Sequence, residues 1–307
     1  MTAPGIPNEY TLSTTCFGAR LGSIQDQIFA AVGMGFRRIE LGLTEMPPTM
    51  DGLEESRRET GVSIGSLVAG CRDSMNGGVL PSARLGSPDA DERERAMNSV
   101  RRHVRLAQSW GCDTVVIRGN RVADEQLRQR TKDYDAQIEK DGMSPELREE
   151  LLGFAHEVQK GGQKQVENLC RSLFTLHQEH PGVRFAVEPG IQLDDVLGFE
   201  AMGWVLDDLG SQGVTYWHDV GRIHMRERLG LPGQGEWLDS YGARMAGVHL
   251  QDAGDEEAEM PIGLGEVDFK LLREYVPGNA ERVLEIGPRH GRAEILASVR
   301  FLVDAGF

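Results

Sequence analysis

Cysteine is scarce in this chain: Cys16, Cys71, Cys112 and Cys170 lie far apart and form no C-x-x-C pair. That spacing suggests neither a zinc knuckle nor a disulfide framework, so reduced thiols in the core are expected. Basic charge is also short, with 33 Lys and Arg against 48 acidic residues and a formal net charge of -15. A phosphate backbone would be repelled unless a local basic groove opposed it, so nucleic acid is not an expected partner. No apolar run reaches membrane-spanning length, and the first ten residues have neither the basic start nor the apolar stretch of a secretory signal. A soluble, cytoplasmic protein without a membrane partner is expected. Gly263-Leu-Gly265 neither closes a strand nor continues as G-x-G-x-x-G, which leaves a tight turn rather than a dinucleotide fingerprint. No Ser/His/Asp arrangement competes for a catalytic role.

What the chain does have is 39% hydrophobic residues in 307, ample for a buried core. Short runs rich in Val, Ile, Leu and Phe alternate with longer segments of helical period, the pattern of repeated β-α units around a parallel sheet. Eight such runs occur: Leu12 to Gly18, Arg38 to Leu43, Ser63 to Gly70, Thr114 to Asn120, Arg184 to Gly190, Val214 to Gly221, Met245 to Asp252 and Arg282 to Pro288. Eight strands and eight helices in this length predict an α/β fold of the (β/α)8 TIM-barrel type, a single domain over residues 1–307. A doubly wound sheet more often stops at five or six strands.

Asp91 to Trp110 places Ala96, Val100, Val104 and Ala107 on one helical stripe before Gly111. Asp268 is the expected N-cap of a helix reaching Tyr275, and Ala293 to Ala305 is expected to close the chain, with Ile295, Val299, Leu302 and Val303 turned to the core. The charged segment Arg121 to Glu150 reads as an insertion. It is expected either as a long βα-loop over the mouth or as a partly disordered excursion.

Four late strands end in metal-ligating residue types: Phe185-Ala-Val-Glu188, Trp217-His-Asp219, Gly247-Val-His249 and Val283-Leu-Glu285. Successive candidates are 31, 30 and 36 residues apart, about one β-α unit each, so a barrel would carry them around one rim. A charged carboxylate in an apolar strand costs several kcal/mol unless paired or bound to a cation, and a shared cation explains all of them together. Individually, Glu188 has an arginine partner as its alternative, Asp219 a capping role, and His249 a core hydrogen bond. Three carboxylates and one imidazole suit one divalent ion, with Mn²⁺ favoured, Mg²⁺ or Co²⁺ equally hard, and Zn²⁺ less typical.

Arg38-Ile-Glu40-Leu, Val187-Glu188-Pro-Gly, His218-Asp219-Val-Gly, Val248-His249-Leu-Gln-Asp252, Gly263-Leu-Gly265-Glu-Val-Asp-Phe269 and Leu284-Glu285 occur in the order seen in xylose isomerase-like TIM barrels. The chain resembles the sugar phosphate isomerase/epimerase group of that superfamily over nearly its whole length, most densely from Phe185 onward. The resemblance implies a mononuclear site at Glu188, Asp219, His249 and Glu285, and a small-molecule carbohydrate substrate. It implies a metal-dependent isomerase or epimerase, in which a carboxylate removes a proton beside a carbonyl and the ion stabilises the enediolate. Glu188 and Glu285, on opposite sides of the ion, are then the acid/base pair. A homodimer or homotetramer is the assembly the resemblance suggests.

One position departs from the pattern: Arg222 stands three residues after Asp219, where many relatives have histidine, exchanging a base or ligand for a fixed cation. Arg118, Arg222 and Arg289 are candidate clamps for a substrate anion, with pairing to the acidic rim as the alternative. Trp217, His224 and Asp252 are candidate pocket residues, Asp252 also as the partner that orients His249. Glu40 is expected to bind a substrate hydroxyl or neutralise an arginine. His218, next to Asp219, should point outward to the helices.

Three alternatives stay open. A lyase or dehydratase of the same superfamily, including one cleaving 3-keto C-glycosides, shares the first chemical step. An endonuclease IV-like phosphodiesterase would need additional rim histidines, where this chain offers Cys71, Arg118 and Arg222. A non-catalytic sugar-binding subunit would tolerate loss of a ligand, whereas all four are retained.

Overall fold

The computed structural model describes residues 6–72, 79–80, 82–190, 192–255 and 257–307. Each of the eight apolar runs contributes to a strand, β1 Tyr10–Ser13, β2 Arg38–Leu41, β3 Ser63–Ala69, β4 Thr114–Arg118, β5 Arg184–Glu188, β6 Val214–Asp219, β7 Met245–Leu250 and β8 Glu281–Leu284, but of Leu12 to Gly18 only the first two residues are strand and the rest turn into a 3-10 helix, Thr14–Arg20. They pair in parallel around a closed barrel in the order β1-β8-β7-β6-β5-β4-β3-β2. The fold is a TIM barrel.

Alternation along the strands separates two cores. Leu67, Val115, Ile117, Phe185, Val187, Tyr216, Val248 and Leu284 face outward into the helix layer and belong to the large cluster. Val68, Val116, Ala186, Trp217 and Val283 face inward and form a separate plug. Trp217 fits there because its register partner is Gly247, where a Cβ would lie 2.3 Å from the indole. Two residues beyond Val116, Ala186, Trp217 and Val283, each chain places its next inward side chain at the rim: Arg118, Glu188, Asp219 and Glu285.

The outer helices follow their sequence signals. They are α1 Ile24–Met34, α2 Leu53–Thr60, α3 Ala90–Ser109, α4 Glu125–Asp141, α5 Pro145–Glu179, α6 Phe199–Leu209, α7 Val220–Arg228, α8 Gln234–Tyr241, α9 Phe269–Tyr275 and α10 Arg292–Asp304. Ala96, Val100, Val104 and Ala107 are buried on α3, and Asp268 caps α9 by accepting from the Lys270 and Leu271 N–H groups. On α10, Ile295, Val299 and Leu302 are buried, but Val303 is 46% exposed. One residue past Leu302 the helix has turned by about 100° and points Val303 to solvent.

Residues 121–150 are not the expected loop. Asp124 caps α4 through the Gln126 and Leu127 N–H groups, and Ser144 with Pro145 opens the 35-residue α5. Leu127 and Thr131 are buried, while Tyr134 and Ile138 pack against the core, with the Tyr134 ring 5.1 Å from Phe154. The charges that suggested a loop lie on the opposite, solvated face of an amphipathic helix.

Candidate metal centre

Glu188 ends β5, Asp219 ends β6, His249 lies on β7 and Glu285 follows β8, and all four are buried to within 1% of full exclusion from solvent. Asp219 is also the N-cap of α7: its Oδ1 accepts from the Arg222 N–H at 2.9 Å and from Gln251 Nε2 at 3.1 Å. That leaves Oδ2 turned inward. His249 Nδ1 lies 3.0 Å from Glu188 Oε2, 3.5 Å from Asp219 Oδ2 and 3.3 Å from Glu285 Oε2. These four atoms are buried and make no hydrogen bond of good geometry among the described residues, although Asp219 Oδ2 also forms an ion pair with the Arg222 guanidinium. Two overlapping sets of possible ligand atoms result, Glu188 with Asp219 and His249, and Glu40 with His249 and Glu285, each close enough together to hold a metal ion, and buried polar atoms of this kind are consistent with a divalent metal site.

The opposite atoms of the same side chains are held in place. Arg118 Nε contacts Glu188 Oε1 and its Nη2 donates to Glu285 Oε1 at 2.9 Å. Arg222 Nη1 donates to Glu188 Oε1 at 2.9 Å, and its Nε lies 3.0 Å from Asp219 Oδ2. The two guanidiniums therefore pair with the acidic rim. Arg289, the third candidate clamp, is 74% exposed and pairs with Glu257.

Glu40 has no arginine partner among the described residues and meets His249 instead. It lies fully buried in the barrel, 3.1 and 3.2 Å from His249 Nε2, and accepts from Ser66 Oγ at 2.8 Å. Glu40, not Asp252, is the carboxylate that orients the imidazole, keeping Nε2 as the donor and Nδ1 toward the cluster. Strand register explains it: Ser13, Glu40 and Ser66 are direct partners on β1, β2 and β3. The inward alternation of these three polar residues was the available signal, and the same alternation marks Ser13 and Ser66 as support.

The other candidates contribute no atom to the ion pairs of the cluster. Asp252 ties down the loop after β7 by accepting from Ala253, Gly263 and Val267 N–H groups. Trp217 is fully buried beneath the rim, with its ring 5.2 Å from that of His249, so it forms a floor rather than a pocket wall. His224 sits on α7 with Nε2 3.8 Å from Glu266. His218 points outward to Tyr216 and Gln234, each at 2.8 Å.

Four carboxylates, Glu40, Glu188, Asp219 and Glu285, share this interior with the guanidiniums of Arg118 and Arg222, which leaves two negative charges uncompensated. Without an ion the cluster offsets them with protons. Burial disfavours the charged imidazole, but Glu285, Glu40 and Glu188 outweigh it and raise the His249 pKa well above the ordinary range. Burial likewise opposes ionisation of Glu188, Asp219 and Glu40. Arg222 and Arg118 hold Glu188 low, Arg222 and His249 hold Asp219 low, and His249 with the two serines holds Glu40 low. For Glu285 burial wins over His249 and Arg118 and pushes the carboxyl up to about 7.

A polar cavity of about 730 Å³ adjoins the cluster, sharing Arg118 and Arg222 as wall. Among the described residues, no helix is long and apolar enough to cross a membrane.

The family model for xylose isomerase-like TIM barrels matches residues 28–302. Solved structures with the same fold include 3-keto-D-glucoside 4-epimerase from E. coli in its apo form, at a TM-score of 0.65 and 15% identity over 96% of this chain and 99% of that one. D-allulose 3-epimerase from Methylomonas sp. in complex with D-allulose aligns at 0.65 and 12% identity over 99% of both chains. The IOLI protein with a binding zinc atom aligns at 0.62 and 13% identity over 96% of this chain and 98% of that one. No curated protein matches the sequence significantly. At these identities the structural likeness carries the fold.

Proposed function

From the premise that this chain belongs to the xylose isomerase-like TIM barrel family, we propose that it is a metal-dependent isomerase or epimerase acting on a sugar or sugar-derived ketone. The observation that carries the proposal is the placing of Glu188 Oε2, Asp219 Oδ2 and Glu285 Oε2 within 3.5 Å of buried His249 Nδ1, which gives two overlapping sets of three possible ligands with Glu40 in the second. A divalent ion held there, Mn²⁺ by preference, would supply Lewis-acid polarisation of a carbonyl and its neighbouring hydroxyl. The uncompensated charge of the cluster matches a divalent ion. The epimerases of known structure with this fold act on carbohydrates, which supports the substrate class.

Glu188 and Glu285 are the acid/base pair in this reading. Arg118 bridges their Oε1 atoms and so fixes the two carboxylates relative to one another. One takes the proton from the carbon beside the carbonyl; the other returns a proton to the opposite face, giving an epimer, or to the adjacent carbon, giving an isomer. Glu40 holds the imidazole of His249, and Trp217 closes the barrel below it against water.

The test is metal content of wild type beside Asp219→Ala, followed by deuterium uptake from D₂O into a panel of ketoses. About one ion per chain, lost in the variant, with deuterium entering a carbon next to a carbonyl, is the expected result. Glu188→Gln and Glu285→Gln should lose turnover while retaining part of the metal. Wild-type protein that binds no metal, or an undiminished Glu188→Gln enzyme, would sink the reading.

A further inference from the structure

Arg222 stands where helix physics does not favour a cation. It is the third residue of α7, whose first-turn N–H groups already carry partial positive charge. Its own N–H is spent on Asp219 Oδ1, at 2.9 Å. The side chain is therefore held by tertiary partners: Nη1 donates to Glu188 Oε1 at 2.9 Å and to the Pro189 carbonyl at 3.3 Å, while Nε lies 3.0 Å from Asp219 Oδ2.

The last of these contacts sets Arg222 apart from Arg118. Arg118 donates to Glu188 Oε1 and Glu285 Oε1, the outer oxygens, and so braces the two carboxylates from outside. Arg222 instead lies against Asp219 Oδ2, which is also the Asp219 oxygen turned to His249 Nδ1 at 3.5 Å. One oxygen thus has two claimants, a guanidinium and any ion that the set of Glu188, Asp219 and His249 would hold. Two cations on one buried oxygen repel strongly, because little solvent lies between them to screen the charge.

The carboxylates do not depend on this guanidinium for their orientation. Without it, Asp219 Oδ1 would keep the Arg222 N–H and Gln251 Nε2, and Glu188 Oε1 would keep Arg118. Arg222 also lies on the approach to the cluster. It lines the cavity of about 730 Å³ with its side chain 12% exposed, whereas Glu188, Asp219, His249 and Glu285 are absent from the described lining and Asp219 is fully buried.

We propose that Arg222 is a built-in competitor of the metal: guanidinium and ion claim the same Asp219 oxygen, so the chain holds its ion more weakly than its ligands alone would. The inference rests on the metal-dependent reading of the centre. It is tested by titrating the full chain, stripped with chelator, with Mn²⁺ against a competing chelator. Arg222→Gln should bind Mn²⁺ at least about tenfold tighter than wild type, since a positive charge beside the ion is gone. The substitution also leaves buried carboxylates unpaired, so the variant should melt lower without Mn²⁺ and gain more from it than wild type does. In Arg222→Ala, millimolar guanidinium chloride should weaken Mn²⁺ binding by refilling the vacated place, and sodium chloride of equal ionic strength should not. Wild type that binds Mn²⁺ beside an Arg222→Gln protein that binds it no tighter overturns the proposal and leaves the functional reading standing. Guanidinium with no more effect than sodium does the same. Mn²⁺ bound by Arg222→Gln but not by wild type upholds the competition and defeats the functional reading; Mn²⁺ bound by neither defeats both.

Discussion

Loading the metal-free protein with Mn²⁺ should expel protons, and the number follows from the charges inside the barrel. Glu40, Glu188 and Asp219 stay anionic, Arg118 and Arg222 stay cationic, and His249 carries a proton because three carboxylates outweigh its burial. Glu285, pushed up to about 7, holds a second proton below that pH and releases it above. An ion that takes His249 Nδ1 and Glu285 Oε2 must displace whichever protons are there. About two protons per ion should therefore leave near pH 6, falling to about one near pH 8.5, where Glu285 is already ionised. Calorimetric titration in buffers of different ionisation enthalpy reads the count directly. Release that is absent near pH 6, or that does not fall with rising pH, would refute the charge balance and with it the assignment of His249 and Glu285 as ligands.

Glu40→Gln should keep the fold but weaken metal affinity by about 10- to 100-fold, measured by competition with a chelator, because the amide cannot fix the Nε2 proton as a carboxylate does. An unchanged affinity would remove Glu40 from the metal's support. Asp195 is buried and its pKa is raised to about 6, burial outweighing Arg226. A raised carboxyl favours the folded state only while protonated, a contribution lost as pH rises through about 6. Asp195→Asn should thus gain up to about 3 kcal/mol relative to wild type between pH 4 and pH 7.5 in urea unfolding, and a pH-independent difference would contradict it. Gly247→Ala drives a methyl into Trp217 and should cost about 1–3 kcal/mol of stability, whereas a neutral substitution would mean that the interior plug repacks freely.

Much of the architecture was legible because it depends on local periodicity. Seven of the eight strand runs and the stripe of α3 follow from alternation and helical repeat, which each segment carries within itself, while the first run was set too late, its strand being Tyr10–Ser13. The misreadings lie where local composition misleads. The helix α4 is so charged that its thin apolar stripe, Leu127, Thr131, Tyr134 and Ile138, is visible only once the core it packs on is known. Trp217 read as a candidate pocket residue from its place near a strand end. Its depth is decided by Gly247 on the neighbouring strand.

The convergence of Glu188, Asp219, His249 and Glu285 was written in the chain as ligand types at strand ends, one β-α unit apart, since closure of a barrel turns that spacing into proximity. Which atom each residue offers was not. Only the packed rim decides that Arg118 and Arg222 take the Oε1 atoms, that Gln251 takes Asp219 Oδ1, and that Glu40, 209 residues away in sequence, takes Nε2 of His249. Periodicity sets which face a side chain occupies; the partners it meets there come from other strands, and no pattern within one segment records them.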